Sequence, residues 1–543
     1  MKCMCVPLAA LLLSGAAGLE AQTTLKAAVN AASYLNPSLP NGNLTEGGVF
    51  VAFGTGMGPA ALAEIGGFPL PTTLAGTSVS ATVGGTTVKC IMLYTSATQV
   101  AAVLPSSTPV GNGTMVLTYN GASSAPLNIT VAEHDFGIFA VNEGGSGPGV
   151  LTNAITNVVN SSTAAANAGE LVDIWGTGLG PVAGNEADGP LPGNIPNLPL
   201  QVFVGGQQAQ VNYAGRSGCC TGLDQIEIVV PAGITGCTVP VYLVVGGVVS
   251  NFVTMSIAQT GSTCTNPSAL TPGQLQTAQA NGGLRTGAAT LSRFHNYAGT
   301  VTYEGDTAGV AFSKVPLADL NPPGFQLPMA NTCSVSQFPV SLGAAGALPT
   351  ALQAGGVTMT GPIGMYTLVE PQPGDYEIVF SPSSPSSPGI VNNGTVLEPG
   401  SYTFNVAAGH DITSAFSTSI TLPAALQWTN RPNVPATISR SQPLTINWTN
   451  GFPGALVTIN AQSSASLGVG AAFTCWADAT AGTFTVPVAI LAAMPPTFSV
   501  EGVPQGALNV YQVSNGPQFT AAGIDEGTTS FADGYLIGPV TFQ

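Results

Sequence analysis

Charge is what this chain has least of: only 6 % of its 543 residues are Asp, Glu, Lys or Arg. Nine Lys plus Arg stand against 25 Asp plus Glu, a formal charge of −16, and no basic run occurs. A phosphate backbone or an anionic bilayer would be repelled, so neither nucleic acid nor a membrane surface is expected as a partner. Histidine is scarce as well. His134, His295 and His410 lie far from one another and from the cysteines, and no CxxC occurs, which excludes a zinc site of ordinary spacing. Glu186, Asp188 and Asp224 are too sparse for a dedicated calcium loop. No heptad or bundle periodicity appears, and apolar runs such as Val239 to Val249 are broken by glycine and too short to span a bilayer, so membrane insertion is not expected. Catalytic signatures are missing too. Ser146 sits in Gly-Gly-Ser-Gly-Pro-Gly rather than a nucleophile elbow, His134 and Asp135 are chain neighbours rather than an oriented dyad, and pairing Glu143 with Glu170 would be arbitrary. No catalytic residue, metal or cofactor is assigned, and the chain is not expected to be an enzyme.

Glycine (69) and proline (43) are abundant instead, with many Thr, Ser, Val and Asn, a profile of short strands joined by turns. The length suits three to five domains at about 100 to 200 residues each. Residues 1–21 have one Lys, an apolar stretch and small residues up to Leu19-Glu20-Ala21, the layout of a secretory signal peptide, so the protein is expected to be secreted or held at the cell surface. Outside that leader lie Cys90, Cys219, Cys220, Cys237, Cys264, Cys333 and Cys475, an odd number. An oxidising compartment makes disulfides the default and leaves at least one thiol over.

The first half is a repeat. Phe-Gly-Thr-Gly-Met-Gly-Pro (Phe53 to Pro59) returns as Trp-Gly-Thr-Gly-Leu-Gly-Pro (Trp175 to Pro181), each after an apolar strand. No helical pattern follows Pro59 or Pro181, so the glycines are not a phosphate cradle. Gly-Gly and Asn-Gly hairpin signals recur in step, and the offset moves from 122 at Phe53/Trp175 to 126 at Gln99/Gln225. The offset first falls to 119 at Tyr94/Tyr213, and a seven-residue insertion within Ala214 to Gly222, which carries Cys219-Cys220, then raises it to 126. The strand spacing predicts an immunoglobulin-like β-sandwich for each copy.

The ordered phrases NAASY (Asn30 to Tyr34), FGTGMGP, LPTTL, VGG, FGIFA (Phe136 to Ala140), WGTGLGP, GPLPG, VFVGG and GCTVPVYLVVGGVVSN resemble the paired repeats of an exported domain family of Solibacter-type Acidobacteria, related to IPT/TIG immunoglobulin-like modules. The resemblance covers about Asn30 to Cys264. It implies a β-sandwich fold and export, and no catalytic or binding residues. Glu133-His134-Asp135 departs from its small, Pro-containing elbow.

The expected architecture is therefore all-β: a signal peptide (1–21), immunoglobulin-like sandwiches at 22–140 and 141–264, a linker with one short helix at 265–295, and further sandwiches at 296–425 and 426–543. The helix is placed at Thr271 to Gly282, capped by Thr271 and ended by Gly282. Cys219 or Cys220 is expected to bond Cys237 or Cys264, and Cys90 to be a buried free thiol. Trp175, like Phe53 in the first copy, is expected to pack in a core. Trp428, Trp448 and Trp476 are weighed as ligand platforms, Trp476 being the more exposed. The inserted loop, with Arg216, Cys219, Cys220 and Asp224, is the candidate binding loop. The reading is a monomeric, non-catalytic surface or adhesion-type protein that recognises a protein or polysaccharide; the alternatives are an extracellular glycan-binding protein or a secreted hydrolase.

Overall fold

The computed structural model describes residues 22–264, 272–299, 301–317, 329–338, 349–380, 390–391 and 395–543. The expected signal peptide, the expected helix cap Thr271 and the Ser/Pro loop at 381–388 lie outside the described residues. Strand makes up 54 % and helix 4 %, and the chain is an all-β array of immunoglobulin-like sandwiches.

In the first repeat, one sheet runs Thr24–Asn30, Val49–Thr55, Gln99–Val103, Ile91–Thr95 and Ala63–Glu64. The other runs Leu44–Thr45, Leu127–Ala132, Gly111–Tyr119, Thr77–Val83 and Thr86–Lys89. Alternation along the strands turns Phe50, Ala52, Val100 and Ala102 of one sheet towards Val79, Ala81, Met115 and Leu117 of the other, giving a closed core. The second repeat has the same plan with one change. Its strand Gln207–Arg216 is continuous, shifts register between Val211 and Tyr213, and pairs with both halves, whereas the first repeat breaks this strand at Cys90. The kinship extends to single hydrogen bonds: Leu117 N donates to Ser124 Oγ at 3.1 Å, and Leu243 N, 126 residues later, to Ser250 Oγ at 3.0 Å.

The glycine phrase is built the same way in both copies. Its central residue, Met57 or Leu179, is fully buried and plugs one end of its sandwich. The glycines before it are required by close approach, since a Cβ on Gly54 would stand 1.9 Å from Thr24 O and one on Gly176 2.1 Å from Phe136 Cζ.

The helix forms at Pro272–Asn281, followed by Gly282 in the left-handed region (φ 65). Beyond it, the strands run across the division expected at residue 425. One sheet orders Thr332–Phe338, Val469–Asp478, Leu456–Ser466, Gly506–Asn515, Ile524–Gly538, Leu284–Ala298, Val301–Val315, Asp375–Phe380, Gly364–Gln372, Val357–Gly361, Gly400–Val406 and Phe416–Leu422. Leu284–Ala298, much of which falls in the expected linker, pairs in parallel with Ile524–Gly538 from Thr286/Glu526 to Ala298/Gly538. Cys333 faces Cys475 directly across two adjacent strands and is bonded to it. A pairing between segments 142 residues apart leaves no local pattern in the sequence, which is why neither cysteine was assigned.

The long strands serve two cores on one face. Leu291, Val310, Phe312 and Phe531 enter one with Met359, Tyr402 and Phe404. Tyr535, Leu508 and Val510 enter the other with Ile459, Phe473, Trp428 and Trp448. A polar belt separates them. Arg293 donates to both carboxylate oxygens of Asp306 (2.8 and 3.0 Å) and to Leu397 O (2.6 Å), and Asp306 accepts from Val396 N and Leu397 N. Asp533 accepts from Leu426 N at 2.6 Å while Tyr535 OH donates to Leu426 O at 2.9 Å. The belt thus fastens the 396–397 segment of the first core and Leu426, where the chain crosses to the second, and these bonds offset the cost of burying Asp306 and Asp533.

The second core also takes in Leu35 and Leu39 of the first repeat and Tyr242, Val249 and Phe252 of the second. Tyr242 stacks on Phe203 and Phe252 at 4.9 and 4.5 Å, and the short helix Val488–Ala492, not foreseen from sequence, adds Ile490 and Leu491. Asn36 N donates to Gln337 Oε1 at 3.0 Å and Gln337 Nε2 to Tyr34 O at 3.2 Å. The repeats therefore pack back on the C-terminal sheets through a continuous apolar seam.

Candidate functional site

The inserted loop is rigid at both ends. Arg216 and Asp224 face each other at the last pair of the ladder between Gln207–Arg216 and Asp224–Val229, and Arg216 Nη1 donates to Asp224 Oδ1. Arg216 Nη2 donates to Gly180 O at 3.0 Å and, across the repeat junction, to Gly47 O at 2.8 Å. Gly47 has φ 67 and a Cβ there would lie 2.1 Å from that nitrogen, so the glycine makes the room. Glu186 Oε1 lies 3.6 Å from Arg216 Nη2, and Glu186 Oε2 accepts from Ser106 N of the first repeat at 2.7 Å. Burial pushes the Asp224 carboxyl up, against the pull of the guanidinium and of Leu179 N–H. Arg216, expected in the binding loop, is 1 % exposed and Asp224 is 0 % exposed. This is a correction: both weld the repeats together, because a guanidinium on a short loop between two packed sandwiches reaches carbonyls of each before it reaches solvent. The acids weighed for calcium, Glu186 and Asp224, surround that guanidinium.

Between these anchors Ser217 and Thr221 are also buried, and Thr221 Oγ1 donates to Glu186 O at 2.9 Å. Only Gly218, Cys219 and Cys220 of the turn are exposed. Both thiols are free. This corrects the expected pairing, because Cys237 bonds Cys264. Gly236 lies opposite Ile257 in the ladder, so the start of one strand and the tail after the other are already side by side, whereas the 217–222 turn sits away from them. Cys90 is free and fully buried, and burial pushes its thiol up to about 12. That leaves Cys219 and Cys220 as the exposed thiols among the described residues.

Cys219 stands on the rim of an open groove of about 620 Å³ lined by Phe139, Ala140, Val141, Glu143, Val150, Val159, Trp175, Cys219 and Leu223. Strand alternation makes the groove. Phe136 and Ile138 point into the core, so Phe139 between Ile138 and Ala140 is turned outward; Val172 and Ile174 point in, so Trp175 is turned out. Trp175 is half-buried, with Nε1 donating to Thr152 Oγ1 at 2.8 Å, and Phe53 is half-buried at the matching position. Both aromatics were expected in a core and instead lie on the outer sheet face. Phe139 also packs against the Ala31, Val51 and Ala101 cluster of the first repeat, which Phe53, Leu93 and Tyr94 cover too, so the groove adjoins that face. Val141 and Val159 are 54 % and 44 % exposed on its wall. Glu143 is its one ionisable carboxylate, at φ 55. The groove went unread in sequence because its walls come from five separated segments; the half-period step of Phe139 within FGIFA was the available signal.

The other sequence-named aromatics are spread elsewhere. Trp428 and Trp448 are buried, with their indole N–H groups given to Asn430 Oδ1 (2.9 Å) and Ala479 O (2.7 Å). Trp476 is half-buried on Val469–Asp478, opposite Thr332 and Thr458. The Glu133-His134-Asp135 elbow is fixed: His134 Nδ1 lies 2.6 Å from Leu179 O, and buried Asp135 accepts from Asn43 N and Nδ2 at 2.8 and 2.9 Å. Among the described residues no group of three or more His, Cys, Asp or Glu is placed to hold a metal, and no helix is long and apolar enough to cross a membrane.

No protein-family model and no curated protein matches the chain. Similar solved structures include a fragment of titin (10 % identity, covering 70 % of this chain and 94 % of that one, TM-score 0.14). Immunoglobulin domains 1–4 of Sidekick-1 match at 9 % identity over 91 % of this chain and 96 % of theirs, TM-score 0.12. A Bacteroides ovatus glucan-utilisation protein, SGBP-B, in complex with a mixed-linkage heptasaccharide matches at 9 % identity over 72 % and 75 %, TM-score 0.12. These likenesses are too low to inform function, which rests on the residues above.

Proposed function

We propose that this is an exported, non-catalytic surface or adhesion-type protein that recognises another macromolecule through the Phe139/Trp175 groove and the Cys219-Cys220 turn beside it. The observation that carries the reading is the groove itself. An open apolar trough of this volume, walled by two aromatics and exposed valines and holding a single carboxylate, suits contact with a macromolecular surface rather than bond-breaking. The carboxylates of the polar belt, Asp306 and Asp533, are both fully buried and held by Arg293 and by backbone N–H groups, which leaves them closed to a substrate. Two disulfides fit an oxidising compartment and so support export. The shared plan of the repeats supports kinship with IPT/TIG modules.

Glycan binding is the second reading, favoured by one observation. Trp175 is half-buried on the outer sheet face opposite half-buried Gln225, whose Nε2 donates to Oδ1 of the buried Asp173 at 2.9 Å, an aromatic beside an amide of the kind that takes a sugar ring. Glycan-array screening and retention on envelope fragments of the source organism, each with the mature protein and its Trp175→Ala variant, separate the two. Retention without array hits supports the first reading; array hits lost in the variant replace it with the second; neither, beside turnover of a hydrolase substrate, overturns both.

A further inference from the structure

We propose that Cys219 and Cys220 are a covalent self-association point, joining two copies of this chain by disulfides across facing grooves. The inference rests on the groove being a contact surface, and it adds the partner and the bond. Several observations converge on the turn. It is absent from the first repeat, so the sandwich closes without it. Both its ends are buried and bonded, by Arg216, Ser217, Thr221 and Asp224, while Gly218, Cys219 and Cys220 alone face outward. A surface turn held this firmly presents its two thiols in a fixed place.

Among the described residues those thiols have no disulfide partner: Cys237 and Cys264 are bonded to each other, as are Cys333 and Cys475, and Cys90 is sealed in a core. Nor do they suit one another, since adjacent Cα atoms stand about 3.8 Å apart and ordinary disulfides need about 4.4 to 6.8 Å. A two-fold axis through the turn removes the difficulty, because each thiol then meets a thiol of the other copy and the same patch meets itself. The patch is self-compatible. Val141, Val159, Trp175 and Leu223 are uncharged and Glu143 is the one carboxylate in the lining, so a chain of net charge −16 brings its copies together where only that one acid per copy opposes contact.

Each bond forms between two Sγ atoms as two S–H bonds break. The two protons and two electrons pass to the disulfide of an exported thiol–disulfide oxidoreductase, which leaves as a dithiol. The oxidant is needed because each bond removes two electrons from the thiols, and burial, reinforced by the neighbouring Cys219, pushes the Cys220 thiol up to about 11, which slows the uncatalysed reaction.

The test is to export the full chain, quench free thiols with N-ethylmaleimide at harvest, and compare reducing with non-reducing electrophoresis, light scattering and peptide maps. The expected result is a dimer that reductant converts to monomer, with linked peptides joining residues 219–220 of two copies. The Cys219→Ser/Cys220→Ser double variant should lower the dimer fraction about tenfold or more, and Val159→Asp, with all cysteines intact, should slow dimer formation several-fold. A chain carrying two alkylated thiols, a bond between Cys219 and Cys220 of one copy, or a mixed disulfide to a small thiol or another protein would overturn the proposal. Envelope retention by alkylated monomer that is still lost in Trp175→Ala would show that the proposed function stands while this inference alone has failed.

Discussion

Arg216 donates from Nη2 to the carbonyl of Gly47, 169 residues earlier, at 2.8 Å. With Asp224 and Glu186 it forms a buried ionic knot that belongs to both repeats. Removing one partner of such a knot leaves the others charged and unpaired, at a cost of about 3 to 5 kcal/mol. Arg216→Met is expected to lower the denaturant midpoint of the repeat pair by that amount, and Arg216→Lys to recover little, because one ammonium cannot reach Gly47 O, Gly180 O and Asp224 together.

Two buried acids set a pH dependence. Burial pushes the Asp135 carboxyl up to about 7, the Asn43 donors pulling the other way, and burial pushes Asp533 up to about 6 against the pull of His295. Both folded values exceed the unfolded value of about 3.9. Between about pH 4 and 7 the folded chain therefore holds more protons than the unfolded chain, and stability falls as pH rises. Thermal unfolding is expected at higher temperature at pH 5 than at pH 8, and Asp135→Asn, which keeps an oxygen for Asn43, should flatten that slope. A midpoint that rises steadily from pH 5 to 8 would contradict this.

The Cys333–Cys475 bond closes 142 residues across neighbouring strands, against 27 for Cys237–Cys264. In the chain-entropy model such loops are worth about 3 to 5 kcal/mol, the longer more. Cys333→Ala/Cys475→Ala is expected to destabilise the C-terminal sheets more than Cys237→Ala/Cys264→Ala destabilises the second repeat, as read by denaturation under non-reducing conditions.

Leu179 fills the end of the second sandwich as Met57 fills the first. Leu179→Ala should cost about 2 to 5 kcal/mol, the range for an unrelieved core cavity, while truncating half-exposed Phe53 should cost less.

The repeats were legible because their signals are local: glycines at close approaches, Gly-Gly turns, and alternation within single strands. The C-terminal half was legible as strands but not as one sheet, since the Leu284–Ala298 pairing with Ile524–Gly538 joins residues 240 apart and no short-range pattern records it. The candidate loop was found through Cys219-Cys220. Its roles were misassigned because Arg216 and Asp224 look like surface charges in sequence, and only the neighbouring repeat buries them. Trp175 was placed in a core from its size, yet its parity with Ile174 already turned it outward.

The most direct test is retention of the mature protein on envelope fragments of its source organism, compared with Trp175→Ala and Val141→Asp variants whose circular dichroism and unfolding midpoints match the parent. The account predicts saturable retention that weakens about tenfold or more in both variants, as expected when a central contact of an interface is removed. Unchanged retention in both, or turnover of a substrate that disappears on a single Asp or Glu substitution, would contradict it.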